Sequence, residues 1–148
     1  SLTAGKVDAV MGPFKTYETV TMAQKGYDVG YFELEKWGIP DYDELIFVSS
    51  KKTLKNNQAS LGAFQRAVGR AIEHARQNPE AALKNYLAQV PEADSKIETA
   101  AFHLTLPYYA TRQELDVKRW QQFADFALQY GLVEKKVDVT DILWVHGR

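Results

Sequence analysis

Side chains able to bind a ligand are concentrated in one short stretch of the sequence, GPFKTYE. Glu18 offers a carboxylate, Lys15 an ammonium group, and Phe14 and Tyr17 offer aromatic rings. Gly12 begins the turn that leads to them. Such side chains can hold a small molecule by charge, hydrogen bonds and aromatic contact. The candidate ligand-binding residues are therefore Gly12, Phe14, Lys15, Tyr17 and Glu18.

A predicted strand and a predicted helix position this stretch. The apolar run at residues 7–10 predicts a strand covered on both faces, and a glycine-proline pair turns the chain after it. A helix is expected over residues 16–25, with Glu18 in its first turn and Gly26 as its terminator. In open α/β sheets, ligands bind where strands end and helices begin. The candidate side chains therefore lie where the wall of a pocket would be.

Two more strands are expected before residue 50. Residues 27–33, YDVGYFE, are rich in aromatic side chains, and a WGIP turn follows them. Residues 45–49, LIFVS, form an apolar run that we expect to be the most buried strand. The first six residues resemble the end of a helix that leads into a strand. The pattern is β-α-β-β, and it suggests a fragment that begins inside a βαβ unit.

The remainder of the chain is predicted to be helical. Apolar residues recur at spacings of three and four from Leu61 to Ala75, which predicts a helix ending near Gln77 after a linker-like segment at residues 49–58. Asn78 is expected to cap the next helix, with proline at its first position. Further helix boundaries are predicted at Pro91, at Asp94 or Ser95, at Pro107, at Asp116 and at Gly131, before a short turn within residues 137–145.

The composition narrows the classes of function. The 18 basic and 19 acidic residues give a net charge of −1, so nothing favours nucleic acid or an anionic membrane as a partner. The absence of cysteine excludes disulfides, thiolate metal sites and cysteine nucleophiles, and it fits either a reducing or an oxidising compartment. His74, His103 and His146 lack metal-ligand spacing, so neither a metal nor another cofactor is expected. The sequence shows neither a membrane span nor a signal-peptide pattern.

The order of several motifs resembles one protein family. The motifs are VDAVMGPF, YE, WGIPDYDELIFVSS, NPE, PYYA, RWQ and FADF. Nearly the whole chain resembles the C-terminal half of periplasmic solute-binding proteins for pyrimidine precursors of thiamine. The resemblance implies an α/β fold, namely the C-terminal part of a two-lobe type 2 periplasmic binding protein that is mostly helical after residue 50. Residues 1–44 would end the second lobe, and residues 45–148 would form the hinge strand and the C-terminal helices of the first lobe.

The same resemblance implies a function. In this family two lobes close on a ligand, and an ABC permease and an ATPase carry the ligand into the cell. We therefore expect the substrate-binding component of an ABC importer, which binds a small pyrimidine precursor at the periplasmic or extracellular face, with or without a lipid anchor, and is not an enzyme. Two alternatives stay open. One is a thiamine-pyrimidine-synthase-like enzyme, whose family carries a cysteine-rich motif, and the other is a sulfonate- or nitrate-type receptor, which Lys15 favours.

The ligand motif of the family is commonly Phe-Trp-Asn-Tyr-Glu, and the matching residues here are FKTYE. Tyr17 and Glu18 match. A carboxylate can accept hydrogen bonds from the amine and ring nitrogen of an aminopyrimidine while an aromatic face stacks on its ring. Lys15 replaces the tryptophan and suits an anionic substituent such as a phosphate. Glu18 has the alternative role of a helix-capping partner and Tyr17 that of a core residue, and the Tyr108-Tyr109 pair would be either core or a lip of the cleft.

The resemblance also predicts how this chain associates. If the sheet of the first lobe is absent, the apolar faces of residues 61–75 and 120–128 would be exposed. Exposed apolar patches of that size usually find a partner. We therefore expect a dimer or a swapped assembly.

Overall fold

The computed structural model describes residues 1–144, and these residues form helices, turns and irregular segments. The α-helices in this range, α1 to α5, span Glu18–Gln24, Lys51–Gln77, Pro79–Gln89, Ser95–Thr105 and Val117–Gln129. Short 3-10 helices lie at Leu2–Ala4, Leu34–Trp37, Leu106–Tyr108 and Val139–Asp141. The prediction that the chain is mostly helical after residue 50 is confirmed. None of the helices described is both long and apolar enough to cross a membrane.

The three predicted strands are absent from the described part of the chain. Residues 7–10, 27–33 and 45–49 form no ladder with one another or with any other described segment. The expectation that residues 45–49 would be the most buried strand is wrong, because Leu45, Phe47 and Val48 are 73–85% exposed. An apolar, β-branched sequence favours a strand, but a strand forms only where a neighbour completes its hydrogen bonds. The predicted α/β architecture is therefore not confirmed.

The chain forms two compact units, and the first contains the candidate ligand-binding residues. This unit consists of Ser1–Tyr31 and Arg66–Thr111. Within it α4 packs against α1, α3 and the 3-10 turn that follows α4. Its small core includes Leu83 of α3 and Ala101 of α4, which are 5% and 3% exposed. Helix α4 is therefore the element that supports the candidate site.

The second unit consists of Phe32–Gln65 and the chain from Arg112 onward. Within it α5 packs against the last 3-10 turn. Ala127 of α5 and Val139 of that turn are buried, at 7% and 2% exposure. Apolar burial in this unit is thus concentrated between α5 and the segment that follows it.

Polar contacts fix the WGIPDYDE segment on α5 within the second unit. The Asp43 carboxylate pairs with the Arg119 guanidinium and also accepts a hydrogen bond of 2.7 Å from Trp120 Nε1. Asp41 pairs with the same guanidinium at 3.2 Å. The Asp43 side chain is 24% exposed and the Asp41 side chain is 74% exposed. The two carboxylates should therefore contribute differently to the free energy of unfolding. We expect the Asp43 contact to matter more, because Asp43 is the less exposed of the two carboxylates and charged hydrogen bonds strengthen as water is excluded.

Several predicted helix boundaries are confirmed, and local hydrogen bonds explain them. Asp94 Oδ1 accepts hydrogen bonds from two backbone N–H groups in the first turn of α4, at 2.9 and 3.2 Å. Asp116 caps α5 in the same way. Gly26 and Gly131 follow α1 and α5 with φ values of 81° and 69°. Glycine adopts this left-handed conformation without a Cβ clash, so it ends a helix at little cost.

The predicted linker at residues 49–58 is wrong, because most of this segment is helical. Helix α2 begins at Lys51, and Ser50 Oγ accepts a hydrogen bond of 3.0 Å from the backbone N–H of Thr53. The polar composition that suggested a linker instead marks a helix start and an exposed helix face. Asn57 interrupts the helical geometry with a φ of −133°.

Of two other boundary predictions, the one for Asn78 needs correction. Asn78 precedes α3 as expected, but its side chain does not cap that helix. It donates instead to the carbonyl oxygen of His74, at 3.3 Å. The boundary predicted at Pro107 is confirmed, because α4 ends at Thr105 and Pro107 lies in the 3-10 turn Leu106–Tyr108 that follows.

The short turn predicted near the C-terminus is confirmed as the 3-10 helix Val139–Asp141. Asp138 Oδ1 accepts hydrogen bonds from the hydroxyl and the backbone N–H of Thr140, at 2.7 and 2.9 Å. These two bonds lower the pKa of the Asp138 carboxyl. Val145 and His146, which the sequence-based predictions also mention, lie outside the described residues.

Candidate functional site

The candidate residues lie on a tight turn that leads into α1. The carbonyl oxygen of Phe14 accepts hydrogen bonds from the backbone N–H groups of Tyr17 and Glu18, at 3.1 and 3.0 Å. In return, Glu18 Oε2 accepts a hydrogen bond of 2.6 Å from the backbone N–H of Phe14. Glu18 therefore closes the turn with one carboxylate oxygen, although its partner Phe14 lies before α1 and is not the N-cap residue of that helix. Its second oxygen accepts no hydrogen bond from the residues described here, so the carboxylate can also bind a ligand.

Tyr17 is joined to α4 by its hydroxyl group. Its Oη donates a hydrogen bond of 2.9 Å to Glu98 Oε1. This bond and the negative charge of Glu98 raise the pKa of Tyr17 above its ordinary value of 10.0. Partial burial and the same carboxylate raise the pKa of Tyr86 on α3. Tyr17 as a whole residue is 41% exposed, so it is in contact with solvent while its hydroxyl is held by Glu98.

Lys15 is half-buried and faces two tyrosine rings of the first unit. Its Nζ lies 5.5 Å from the ring centroid of Tyr31 and 5.2 Å from that of Tyr108. Both distances are within the range of cation–π attraction, which contributes about 0.5–1 kcal/mol at exposed sites. Tyr31 and Tyr108, taken as whole residues, are 57% and 66% exposed. The ammonium group is therefore held at a defined place beside an accessible aromatic surface.

The turn and the Tyr108 segment are each fixed by further hydrogen bonds. Thr105 Oγ1, at the end of α4, donates to Thr16 Oγ1 at 2.8 Å. Arg76 Nη1 donates to the carbonyl oxygen of Tyr109 at 2.9 Å and, less closely, to that of Leu106 at 3.4 Å. These bonds hold the 3-10 turn that carries Tyr108 near the loop that carries Lys15.

The structure thus places Phe14, Lys15, Tyr17 and Glu18 on one turn of the first unit, with Gly12 exposed just before it. Phe14 is 39% exposed. The assignment of these five residues as ligand-binding stays a prediction.

The sequence did not predict several other residues that contact the turn or the side chains near it. Glu98, Tyr31 and Arg76 were not predicted, because nothing in their local sequence connects them with residues 12–18. Tyr108 was left open between core and cleft lip, and its exposure of 66% contradicts the core alternative, whereas the lip stays a prediction. The consecutive aromatic residues after Pro107 were the one signal that pointed to it.

The residues gathered around this turn offer a carboxylate, an ammonium group and partly exposed aromatic side chains within the first unit. They are Lys15, Tyr17, Glu18, Tyr31 and Tyr108. Such a set suits a small flat ligand that has both hydrogen-bond donors and charge. Among residues 1–144, no three His, Asp or Glu side chains lie close enough together to hold a metal ion.

A separate polar cavity of about 370 Å³ lies in the second unit, lined by Gln121, Asp125, Lys136 and Asp138. The Gln121 side chain donates to Asp125 Oδ1 and to the carbonyl oxygen of Val137, both at 2.9 Å. Its Oε1 accepts from the backbone N–H of Val139 at 3.2 Å. The polar groups of Gln121 thus hold the C-terminal segment on α5, and we assign no ligand to this cavity.

Comparison with known proteins decides the family. Residues 1–82, which include all five candidate ligand-binding residues, match the family described as NMT1/THI5 like. The chain belongs to the NMT1/THI5-like family. This confirms, at the level of the family, the resemblance to proteins of thiamine pyrimidine metabolism.

Two curated relatives of the NMT1/THI5-like chain are informative. A Haemophilus influenzae protein named for thiamine biosynthesis is 36% identical over 138 residues, which is 91% of this chain and 43% of the relative. A formylaminopyrimidine-binding protein of Halalkalibacterium halodurans is 33% identical over 94 residues, which is 64% of this chain and 28% of the relative. The chain therefore spans less than half the length of these relatives.

Proposed function

We propose that this chain is part of a receptor that binds a small pyrimidine precursor of thiamine. The observation that carries the proposal is its 33% identity with a formylaminopyrimidine-binding protein, over a match that covers 64% of the chain. Membership in the NMT1/THI5-like family and the name of the Haemophilus relative support the same ligand class. All three agree with a site that combines a carboxylate with aromatic faces.

Two of the candidate residues have direct roles in this proposal. The Glu18 carboxylate accepts hydrogen bonds from the exocyclic amine and the ring N–H of a protonated aminopyrimidine. Its contact with the Phe14 N–H orients the carboxylate without consuming both oxygens. Tyr17, fixed through Glu98, offers its ring face for stacking. Binding by these groups needs no bond chemistry.

The wider role is part of the proposal as well. The receptor would have two α/β lobes, with residues 1–44 in the second lobe and residues 45–148 forming the hinge strand and final helices of the first. It would deliver its ligand to an ABC permease and ATPase at the periplasmic or extracellular face of the membrane, with or without a lipid anchor. A receptor is favoured over a synthase because the chain has no cysteine, whereas the resemblance attributes a cysteine-rich motif to the synthases.

Calorimetric titration of the full-length protein with formylaminomethyl- and hydroxymethyl-aminopyrimidine tests the proposal. We expect tight binding of at least one of them, with the ligand recovered unchanged. Glu18→Gln should weaken binding about 10- to 100-fold, because it removes a charge-assisted hydrogen bond worth about 1.5–3 kcal/mol. Glutamine keeps an oxygen for the Phe14 N–H, so the turn should be retained.

Glu80→Gln is the matched control, because Glu80 lies on α3 of the same unit and is 79% exposed beside His103. It should leave affinity unchanged. Unchanged affinity in Glu18→Gln would reject Glu18 as the anchor. Conversion of the pyrimidine to a product would reject the receptor in favour of an enzyme.

A further inference from the structure

We propose that Glu98 is a positioning residue of this site, which holds the ring of Tyr17 in the orientation that stacks on the pyrimidine. The inference rests on the proposed function, in which Tyr17 offers its ring to the ligand. Glu98 lies on α4 and acts through Tyr17. The observation that carries the inference is the hydrogen bond of 2.9 Å from Tyr17 Oη to Glu98 Oε1, which joins residues 81 positions apart.

Tyr17 is held at both of its ends. Its backbone carbonyl oxygen accepts hydrogen bonds from the N–H and the hydroxyl of Thr21, at 2.9 and 3.0 Å. At the tip of the side chain, the hydroxyl donates to Glu98. Only the two side-chain torsions of a tyrosine lie between these anchors, so fixing both ends restricts the plane of the ring. A ring restricted in this way loses less conformational entropy when a flat ligand stacks on it.

Glu98 belongs to the face of α4 that supports the turn. Positions 98, 101 and 105 are separated by three and four residues, so they lie on one face of the helix. Ala101, in the middle of this face, is buried, and Thr105 Oγ1 donates to Thr16 Oγ1 at 2.8 Å. Thr16 and Tyr17, which are adjacent on the turn, are therefore bound at two points roughly 10 Å apart along the helix axis. Two such contacts resist rotation of the turn against α4.

The Glu98 carboxylate is itself oriented by its surroundings. Glu98 is partly buried, and α4 packs against both α1 and α3. Desolvation and then the charge of Glu98 raise the pKa of Tyr86 on α3, so the carboxylate lies close to a second phenol group. At the start of α4, Asp94 caps the helix independently of the turn. Helix α4 can therefore act as a fixed support for the Tyr17 hydroxyl.

The test is a double-mutant cycle, measured by calorimetric titration of the full-length protein with formylaminomethyl- and hydroxymethyl-aminopyrimidine. Tyr17→Phe, which keeps the ring and removes the hydroxyl, and Glu98→Ala should each weaken binding about 3- to 10-fold. The double variant should bind no more weakly than the weaker single variant, because both changes remove the same hydrogen bond. Glu98→Gln should keep the affinity within about twofold of wild type, since its amide oxygen can accept the phenol proton.

Glu80→Ala is the matched control. Glu80 lies on α3, and its carboxylate is 3.4 Å from His103 of α4, so this change removes an acidic side chain between two of the same helices without touching the turn. It should leave the affinity unchanged. Thermal unfolding of each variant without ligand shows whether the variant is folded at the temperature of the titration. Equal losses in Glu80→Ala and Glu98→Ala would indicate a general effect on the helix pair and would reject the positioning role.

The outcomes separate this inference from the proposed function. If the wild-type protein binds a pyrimidine and Glu98→Ala binds it equally well, or if the two single losses add in the double variant, the role of Glu98 is rejected and the receptor function stands. If Glu98→Ala does not fold, Tyr17→Phe decides, because unchanged affinity would reject the role and the expected loss would support it. If the wild-type protein binds neither pyrimidine, both the proposed function and this inference are rejected.

Discussion

At the scale of single residues, the candidate site is built from side chains that make structural contacts within the first unit. Glu18 closes the turn through the Phe14 N–H, and its second carboxylate oxygen accepts no hydrogen bond from the described residues. Tyr17 is bound to Glu98 through its hydroxyl and exposes its ring. The bond between Glu18 and the Phe14 N–H is therefore compatible with the proposed role of Glu18 in ligand binding, which stays a prediction.

The Tyr17–Glu98 contact gives a prediction about pH. Because the protonated phenol donates to a carboxylate, the pKa of Tyr17 is raised. The stability that this contact contributes is therefore complete below the unfolded pKa of about 10 and is lost as the pH rises through the folded pKa. Glu98→Gln should move the pKa of Tyr17 down toward 10, which NMR titration of ¹³Cζ-labelled tyrosine measures.

Tyr42 is the internal control for that titration. Its pKa is raised mainly by burial and then by Glu44, so Glu98→Gln should leave it unchanged. Tyr17→Phe assigns the resonance. An unchanged Tyr17 pKa in Glu98→Gln would show that the hydrogen bond does not persist in solution.

At the scale of elements, polar contacts between segments add to the stability that a small apolar core provides. In the second unit, the Asp43 carboxylate joins an irregular segment to α5 through Arg119 and Trp120. Arg119 Nε is buried and has no hydrogen-bond partner among the described residues. Loss of the Asp43 carboxylate would therefore remove the acceptor of Arg119 Nη2 and of Trp120 Nε1 beside an atom that already has no partner there.

Replacement of Asp43 by alanine should destabilise the protein by about 2 kcal/mol, because it leaves Trp120 Nε1 and part of the Arg119 guanidinium without acceptors. Urea denaturation followed by tryptophan fluorescence measures the change. Asp41→Ala is the matched control. It removes a carboxylate that pairs with the same guanidinium but is 74% exposed, so its cost should stay below about 1 kcal/mol. Equal costs for the two variants would contradict this account.

At the scale of the whole molecule, large apolar side chains are exposed in the segments that the sequence predicts to be strands. The clearest case is residues 45–48, where every side chain is at least 44% exposed. Of these side chains, Phe47 packs edge-on against Phe64 of α2. The faces of residues 61–75 and 120–128, from which association was first predicted, are less exposed than this segment.

We expect the 148-residue chain to associate in solution through residues 45–48, because a contiguous exposed apolar segment favours contact with a second surface. Sedimentation should show species larger than the formula mass, and a Leu45→Ser, Val48→Ser double variant should shift them toward the monomer. Ile142→Ser, which removes an apolar side chain that is 60% exposed elsewhere in the same unit, should not. A monodisperse wild-type monomer would contradict the expectation and the predicted dimer.

The sequence by itself determined the features whose hydrogen bonds close within a few residues. Asp94 and Asp116 cap helices through N–H groups two and three positions ahead, and Gly26 and Gly131 end helices through their own φ. The position of Glu18 in the first turn of α1 is of the same kind. Motif order also identified the family, because an ordered set of short motifs is far more specific than any one of them.

Only the tertiary structure decided which distant groups meet. Tyr17 and Glu98 are 81 positions apart, and Asp43 and Trp120 are 77 apart, so no local pattern connects them. The placement of Lys15 over Tyr108 depends on the packing of α1 and the 3-10 turn against α4. The predicted strands also show that local sequence alone does not decide which segments pair. An apolar run such as residues 45–49 has the composition of a strand, but its hydrogen bonds require a partner that local sequence cannot supply.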